Sequence, residues 1–219
     1  MFLPTTKQEL IALGWDCPDV VLVSGDVYID SPYDGVAIIG KVLLDAGYRV
    51  GIISQPDVNS ADDIMRLGEP KLFWGISSGV CDSMVANYTA LMKRKRNDDL
   101  TPGGVNDKRP DRAVIAYTNL IKKYYKNAKP IVLGGVEASL RRVAHYDYWD
   151  NKIRRSVLFD SKADAIVYGM GEKTILELAE HFKKGTDFLS TRGICYVAKE
   201  APEKFKELPP FESVRDDKV

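Results

Sequence analysis

The residues of this 219-residue chain that could do chemistry are concentrated between Ile131 and Glu172. A block of arginines, aromatic residues and carboxylates stands there between two apolar segments, IVLGG and DAIVYGMGE, that are typical of buried strands. Guanidinium groups, an imidazole and aromatic faces so close in sequence can recognise an anionic or aromatic group. The residues expected to bind substrate or contact another domain are Glu137, Ser139, Arg141, Arg142, His145, Tyr146, Asp147, Tyr148 and Trp149.

Three interpretations of the block from Arg141 to Arg155 stay open at this point. It can bind a ligand, pack against another domain, or form a buried polar network that satisfies itself. Contact with another domain is favoured, because arginine, tyrosine and tryptophan are the residues that protein interfaces enrich.

Glycines and hydroxyl residues follow several of the predicted strands. Glycine lets a backbone approach a ligand closely, and nearby N–H groups and hydroxyls can hold a phosphate or an amide. In an open parallel sheet such loops share the carboxyl edge, where ligands bind. The run GMGE is not a dinucleotide fingerprint, because it follows the fifth strand and lacks the third glycine. The expected cofactor-binding residues are Ser77, Ser78, Gly134, Gly135, Gly169, Gly171 and Glu172.

Four aspartates, Asp26, Asp30, Asp34 and Asp57, fall in loops at the same edge. They can form a carboxylate site, but helix capping and loop solvation are the favoured roles for aspartate in such places. No serine, histidine and acid grouping can be assembled, since His145 is the only base expected near the edge. We therefore assign no catalytic residue.

Composition narrows the classes of partner. Lys plus Arg and Asp plus Glu each number 31, so no overall field draws the chain to nucleic acid or to an anionic membrane. The run KRKR, Lys93–Arg96, is interpreted as the solvated end of a helix. Three scattered cysteines and two histidines argue against a disulfide framework and against a metal centre in this chain. Without a signal segment or an apolar run of membrane-spanning length, we expect a cytoplasmic protein.

Apolar strands and amphipathic helices alternate along the chain. The segment DSMVANYTALMKRKR is expected to form one helix, Asn97–Pro110 a long exposed loop, and Asn151–Asp160 a short helix. Because parallel strands need crossover connections, the pattern predicts a three-layer α/β fold with an open, doubly wound parallel sheet of about five strands, flavodoxin-like or Rossmann-like. Residues 1–200 are expected to form this single domain, and Ala201–Val219 a linker.

Several long segments resemble the amino-terminal domain of YgiQ-type radical SAM proteins, an uncharacterised family. They are FLPTTKQELIALGWD, DSPYDGVAIIGKVLLDAGYRVGIISQPD, TPGG followed by KRPDRAVIAYTNLI, GGVEASLRRVAHYDYW, and the run from Ser161 through YGMGEKT. The resemblance covers nearly the whole chain. The sequence EASLRRVAHYDYW is its most specific part, whereas the strand and helix pattern is generic.

The resemblance implies a fold similar to cobalamin-binding domains, placed ahead of a radical SAM barrel. That barrel would hold a [4Fe-4S] cluster and S-adenosylmethionine through a Cys-x3-Cys-x2-Cys motif, which this chain lacks. Cobalamin is a further implied cofactor, although SGDVYIDSP lacks the Asp-x-His-x-x-Gly pattern that supplies a cobalt ligand in many such domains. The implied role is a non-catalytic domain that assists substrate or cofactor binding and docks on the barrel. The alternative is a stand-alone domain that binds a small molecule of nucleotide type or transfers a group.

Overall fold

The computed structural model describes residues 1–200 and 206–217 of the chain. These residues contain a central sheet of six strands and a separate two-stranded sheet. The strands are β1 (Val20–Ser24), β2 (Val50–Ser54), β3 (Phe73–Ser77), β4 (Ile131–Gly134), β5 (His145–Asp147), β6 (Lys152–Arg154), β7 (Ala165–Val167) and β8 (Ile194–Cys195).

The helices follow the strands as crossover connections or lie in the loops. They are α1 (Lys7–Ala12), α2 (Gly35–Asp45), α3 (Asp62–Met65), α4 (Ser83–Asn87), α5 (Ala113–Tyr124), α6 (Gly135–Leu140), α7 (Val157–Ser161), α8 (Glu172–Lys184) and α9 (Phe211–Asp216). Helix α9 falls within the expected linker from Ala201 to Val219, of which residues 201–205 and 218–219 lie outside the described residues. In the described ranges no helix is both long enough and apolar enough to cross a membrane.

The central sheet has the order β2-β1-β3-β4-β7-β8. Its first five members run parallel, and β8 pairs with β7 in the antiparallel direction. The five parallel strands therefore have the flavodoxin-like order. From β1 the chain first adds β2 on one side and then β3 on the other side, so the strand order reverses between β1 and β3. The predicted fold class is confirmed.

Successive residues of each central strand point to opposite faces of the sheet, and so they contribute to two different hydrophobic cores. On β1, Leu22 packs with helices α2 and α8, whereas Val21 and Val23 pack with α5 and α7. This follows from the two-residue repeat of a strand, and it explains why every residue of β1 is apolar or small and buried. The sheet is thus covered on both faces, giving the three predicted layers.

Two sequence predictions about the region after β3 are wrong. Helix α4 ends at Asn87, and the segment that was expected to continue it forms a short hairpin with an antiparallel bridge between Tyr88 and Arg94. The side-chain amide of Asn87 donates to the carbonyl of Arg109 and to the carboxylate of Asp111. These tertiary hydrogen bonds take the place of a further helical turn. The following loop is not generally exposed, because Thr101, Asn106 and Arg109 within it are buried.

The insertion between β4 and β7 is more ordered than the sequence indicates. Helix α6 begins directly at Gly135, and strands β5 and β6 form a hairpin. The helix expected over Asn151–Asp160 begins only at Val157, because Ser156 caps it and the preceding residues pair with β5. The segment RGICYVAKE, Arg192–Glu200, has the apolar pattern of a final edge strand, but the strand there is only two residues long, Ile194–Cys195.

Candidate functional site

A cleft of about 330 Å³ opens at the carboxyl ends of the parallel strands, between the sheet and helices α2 and α8. Its floor is made by residues such as Leu22 and Val132, and its mouth carries Tyr33 and Met170, which are 88% and 85% exposed. Among the described lining residues Glu172 is the only carboxylate, and none is a lysine, arginine or histidine. The cleft is therefore suited to a largely apolar ligand.

Glycines make room for this cleft. A Cβ on Gly134 would have only the carbonyl of Val167 within 4 Å, at 3.9 Å, and a Cβ on Gly169 would have nothing. Gly135 has a φ of +81°, and a Cβ there would come 2.6 Å from the hydroxyl oxygen of Ser77. The chain can therefore turn from β4 into α6 beside the end of β3 only if residue 135 lacks a side chain.

Most of the expected cofactor-binding residues meet in the cleft. Ser78 does not, because it is buried and its hydroxyl donates to the carbonyl of Cys81 at 2.8 Å. The expected residues that line the cleft are Ser77, Gly134, Gly135, Gly169, Gly171 and Glu172. Residues that sequence reasoning missed are Tyr33, Val80, Val136 and Met170. Tyr33, Val80 and Met170 are exposed apolar side chains in loops and Val136 is one in the first turn of α6, and apolar residues directly after strand ends could have been a signal.

The arginine-rich block is built around one buried carboxylate, Asp147. Arg112 lies 2.7 Å from it, Arg141 3.6 Å and Arg154 3.8 Å. Its other oxygen accepts from the backbone N–H of Trp149 at 3.0 Å. Burial raises the pKa of Asp147, but the charge of Arg112 and the backbone hydrogen bonds outweigh this and hold that pKa below its usual value.

The same arginines have further carboxylate partners. Arg141 contacts Asp82 at 2.7 Å, and Arg154 contacts Asp150 and Asp160 at 2.8 Å each. Of the three interpretations of the block, a polar network whose charges pair with one another therefore fits Arg112, Arg141 and Arg154. They fasten the β5–β6 hairpin to α4, α5 and α7, on the face of the sheet opposite the cleft.

Other members of the predicted set occupy different surroundings. Glu137 is buried on α6 and accepts from the backbone N–H of Ser83, and burial raises its pKa. The hydroxyl of Ser139 accepts from Gly169, so α6 touches the rim of the cleft there. Arg142 stacks its guanidinium 4.9 Å from the ring centroid of Tyr168.

His145 and the aromatic residues complete that set. Burial lowers the pKa of His145, whose Nδ1 lies 3.0 Å from the carbonyl oxygen of Val143. Tyr146 and Tyr148 are about half exposed, and the ring of Trp149 lies 5.4 Å from that of Tyr148. These aromatic residues are at the surface, away from the cleft lining.

A buried ion-pair triad supports one wall of the cleft, and no motif in the sequence indicates it. The Arg109 side chain, fully buried, contacts Asp26 and lies 2.9 Å from Asp98. The second oxygen of Asp26 accepts from the N–H of Val80 at 2.7 Å, and its carboxylate fills the space where a Cβ of Gly79 would stand. Arg109 therefore positions the Gly79–Val80 part of the cleft wall through Asp26.

The four loop aspartates do not form a carboxylate site. Asp26 pairs with Arg109, Asp30 pairs with Lys41, and Asp34 caps α2 through the N–H of Val36. Asp57 accepts from Asn59 in its own loop. In the part of the chain that the structure describes, no three His, Cys, Asp or Glu side chains come together as a metal site would require.

Comparison with known sequences places the whole chain in one family. Residues 2–219 match the family described as "Radical SAM N-terminal". A UPF0313 protein from Fusobacterium nucleatum is 54% identical over 99% of this chain, and one from Thermotoga maritima is 52% identical over 99%. A UPF0313 protein from Pseudomonas aeruginosa is 46% identical over 100%. This chain spans 38%, 39% and 30%, respectively, of the length of those relatives.

Comparison of structures supports the same conclusion for the fold. The radical S-adenosylmethionine methyltransferase TsrM from Kitasatospora setae, solved with tryptophan and a SAM analogue, matches 82% of this chain and 28% of its own, with a TM-score of 0.55 and 18% identity. TsrM solved with cobalamin and a [4Fe-4S] cluster matches 82% and 27%, with a TM-score of 0.54 and 18% identity. Since the family match extends over almost every residue and the relatives share about half of them, this chain belongs to the radical SAM N-terminal family.

Proposed function

We propose that this chain is a non-catalytic, cofactor-binding domain of a radical SAM protein, and that the cleft at the carboxyl edge of the sheet holds the cofactor. The observation that supports this most strongly is the composition of the cleft. It is mainly apolar and opened by Gly134 and Gly169, and among the described residues that line it only Glu172, Tyr33 and Ser77 could act as a base or nucleophile. Such a site binds a ligand and leaves the chemistry to another part of the protein.

The cofactor that we propose is cobalamin. TsrM, which has a similar fold over 27% of its chain, was solved with cobalamin bound. The cleft here, at the lower end of the size range of ligand pockets, suits a flat aromatic group such as the benzimidazole end of that cofactor. The residues that would hold it are Ser77, Gly134, Gly135, Gly169, Gly171 and Glu172. When bound, cobalamin supplies cobalt–carbon chemistry that amino-acid side chains lack.

The chain offers no imidazole at the cleft among its described residues. His145 lies on the hairpin at the opposite face of the sheet, and His181 lies in the last turn of α8, far along the helix from its end at the cleft. We therefore expect the cofactor to bind through shape and backbone contacts, without a cobalt ligand from these histidines.

Docking is the second part of the proposal. The family relatives are much longer than this chain, so the [4Fe-4S] cluster and S-adenosylmethionine are expected in the remaining part of the whole protein. The exposed Tyr33 and Met170 at the mouth of the cleft are apolar surface that such a part can cover. The arginines around Asp147 are already paired within the domain and are not needed for that contact.

Titration with hydroxocobalamin, followed by the visible absorbance spectrum, tests the cofactor proposal. We expect a saturable spectral change with the natural chain and a much weaker one with Gly134→Leu, which fills the cleft from a position whose backbone is unstrained. Gly134→Ala is the graded control and should have an intermediate effect, while thermal unfolding shows that each variant is folded. The proposal fails if no spectral change occurs, or if Gly134→Leu binds as tightly as the natural chain.

A further inference from the structure

A short basic hairpin, Tyr88–Arg96, projects from the surface on the side of the aromatic residues. Thr89 and Lys93 share a backbone hydrogen bond of 2.9 Å, and the N–H of Lys95 donates to the carbonyl of Asn87 at 2.8 Å. Lys93, Arg94, Lys95 and Arg96 thus stand in an extended segment, not in the last turn of a helix. The favourable interaction of cations with a helix end therefore does not explain the run.

Three of these four cations have no carboxylate partner in the described part of the chain. Arg94 lies 3.3 Å from Asp111, whereas Lys93, Lys95 and Arg96 have no Asp or Glu oxygen within 4 Å. All four side chains are exposed, in a protein whose overall charge is zero. The ammonium group of Lys95 donates to the carbonyl of Val85 at 2.9 Å, so within the fold Lys95 has a hydrogen-bond acceptor and Arg94 has one carboxylate. Because adjacent like charges repel one another, an anionic partner would stabilise this run of cations further.

The rings of Tyr148 and Trp149, which we call the aromatic ledge, lie directly beside the basic hairpin. The hydroxyl of Tyr148, a residue that is 48% exposed, donates to the carbonyl of Ala90 at 2.8 Å and so ties the β5–β6 turn to the hairpin. Trp149 contacts the ring of Tyr148, at 5.4 Å between centroids, and the ring of Tyr88, at 5.3 Å. At the hairpin tip Leu91 is 80% exposed and adds apolar surface.

We propose that the basic hairpin and the aromatic ledge together bind single-stranded nucleic acid. The cations would neutralise phosphates, and the exposed ring of Tyr148 would stack on an unpaired base, the combination that recognises single strands. A double helix hides its base faces and cannot use the ledge in this way. Tyrosine, tryptophan and arginine also suit a protein interface, but lysine is depleted there, and three adjacent cations without a carboxylate partner favour a polyanion. This surface goes beyond the proposed cofactor site and lies away from the lining of the cleft.

Fluorescence anisotropy with a labelled 12-nucleotide mixed-sequence RNA tests the proposal on the 219-residue chain. A DNA strand of the same sequence distinguishes RNA from DNA, and a duplex is the third probe. We expect either single strand to bind more tightly than the duplex. Three phosphate contacts predict a slope of log affinity against log salt of roughly −2. The triple variant Lys93→Gln, Lys95→Gln, Arg96→Gln should lose most of that slope and bind at least about tenfold more weakly.

Further variants separate stacking from charge. Tyr148→Ala should weaken binding about tenfold, whereas Tyr148→Phe, which keeps the ring, should bind nearly as the natural chain does. The matched control is Lys7→Gln, Lys126→Gln, Lys129→Gln, which removes three exposed cations elsewhere. The proposal is overturned if the control loses as much affinity as the triple variant, or if the duplex binds as tightly as the single strands. It is also overturned if polyglutamate competes equally well, or if neither single strand binds at low salt. The cobalamin spectrum should be unchanged in all these variants, so the two proposals can fail separately.

Discussion

Arg109 has surroundings that are unusual for an arginine. Its side chain is fully buried, and both of its carboxylate partners, Asp26 and Asp98, are almost fully buried as well. Charges in such a place are stabilised only by each other, so the removal of one leaves the others without compensation. The triad is therefore important for the stability of the loop that ends at Pro110 and for the wall of the cleft.

Replacement of this arginine should destabilise the protein strongly. We expect Arg109→Met to lower the free energy of unfolding by about 3 to 5 kcal/mol, because Asp26 and Asp98 would remain buried without a cation. Arg155→Met is the control, since Arg155 is half exposed and its pair with Asp160 should contribute less than about 1 kcal/mol. Urea unfolding followed by circular dichroism measures both, and equal effects would contradict this account.

At the scale of elements, the β5–β6 hairpin depends on Asp147. Because the pKa of Asp147 is lowered in the folded protein, its contribution to stability is present above the unfolded pKa of about 4 and is lost as the pH falls through the folded pKa. We expect Asp147→Asn to cost about 2 kcal/mol at pH 7. The difference from the natural chain should shrink steadily when urea unfolding is repeated at pH 4 and then at pH 3. A difference that stays constant with pH would show that the charge of Asp147 is not what holds the hairpin.

The elements also show how far sequence patterns reach. The five parallel strands, α2, α5 and α8 were predictable, because each buries a set of apolar residues in the sheet or against it. The end of α4 at Asn87 was not predictable. Met84, Tyr88 and Met92 continue the helical spacing, but the side chain of Asn87 makes its hydrogen bonds with Arg109 and Asp111 in a later loop. The cleft residues at glycine-ended strands followed from the fold, whereas the pairing of Arg109 with Asp26, 83 positions apart in sequence, has no local signature.

At the scale of the whole molecule, one sheet joins two apolar cores. Ile52 and Ile53 are adjacent on β2 and fully buried, yet they belong to different cores. Because both cores use the same strands, they should be lost together when the protein unfolds.

This prediction can be tested with one substitution in each core. We expect Ile52→Ala and Ile53→Ala each to lower the free energy of unfolding by about 2 to 5 kcal/mol and to keep a single transition. Far-ultraviolet circular dichroism and tryptophan fluorescence should give the same urea midpoint for each variant. Separate midpoints for the two probes would show that the cores unfold independently.

The contact between Gly79 and Asp26 has an evolutionary consequence. The carboxylate oxygens of Asp26 lie 2.1 and 2.5 Å from where a Cβ on residue 79 would be, so a side chain there would displace the partner of Arg109. A mutation at position 26, 79 or 109 thus removes the stabilising ion pair to which the other two residues contribute. Across homologous chains the three positions should covary, being inherited as a set or replaced as a set.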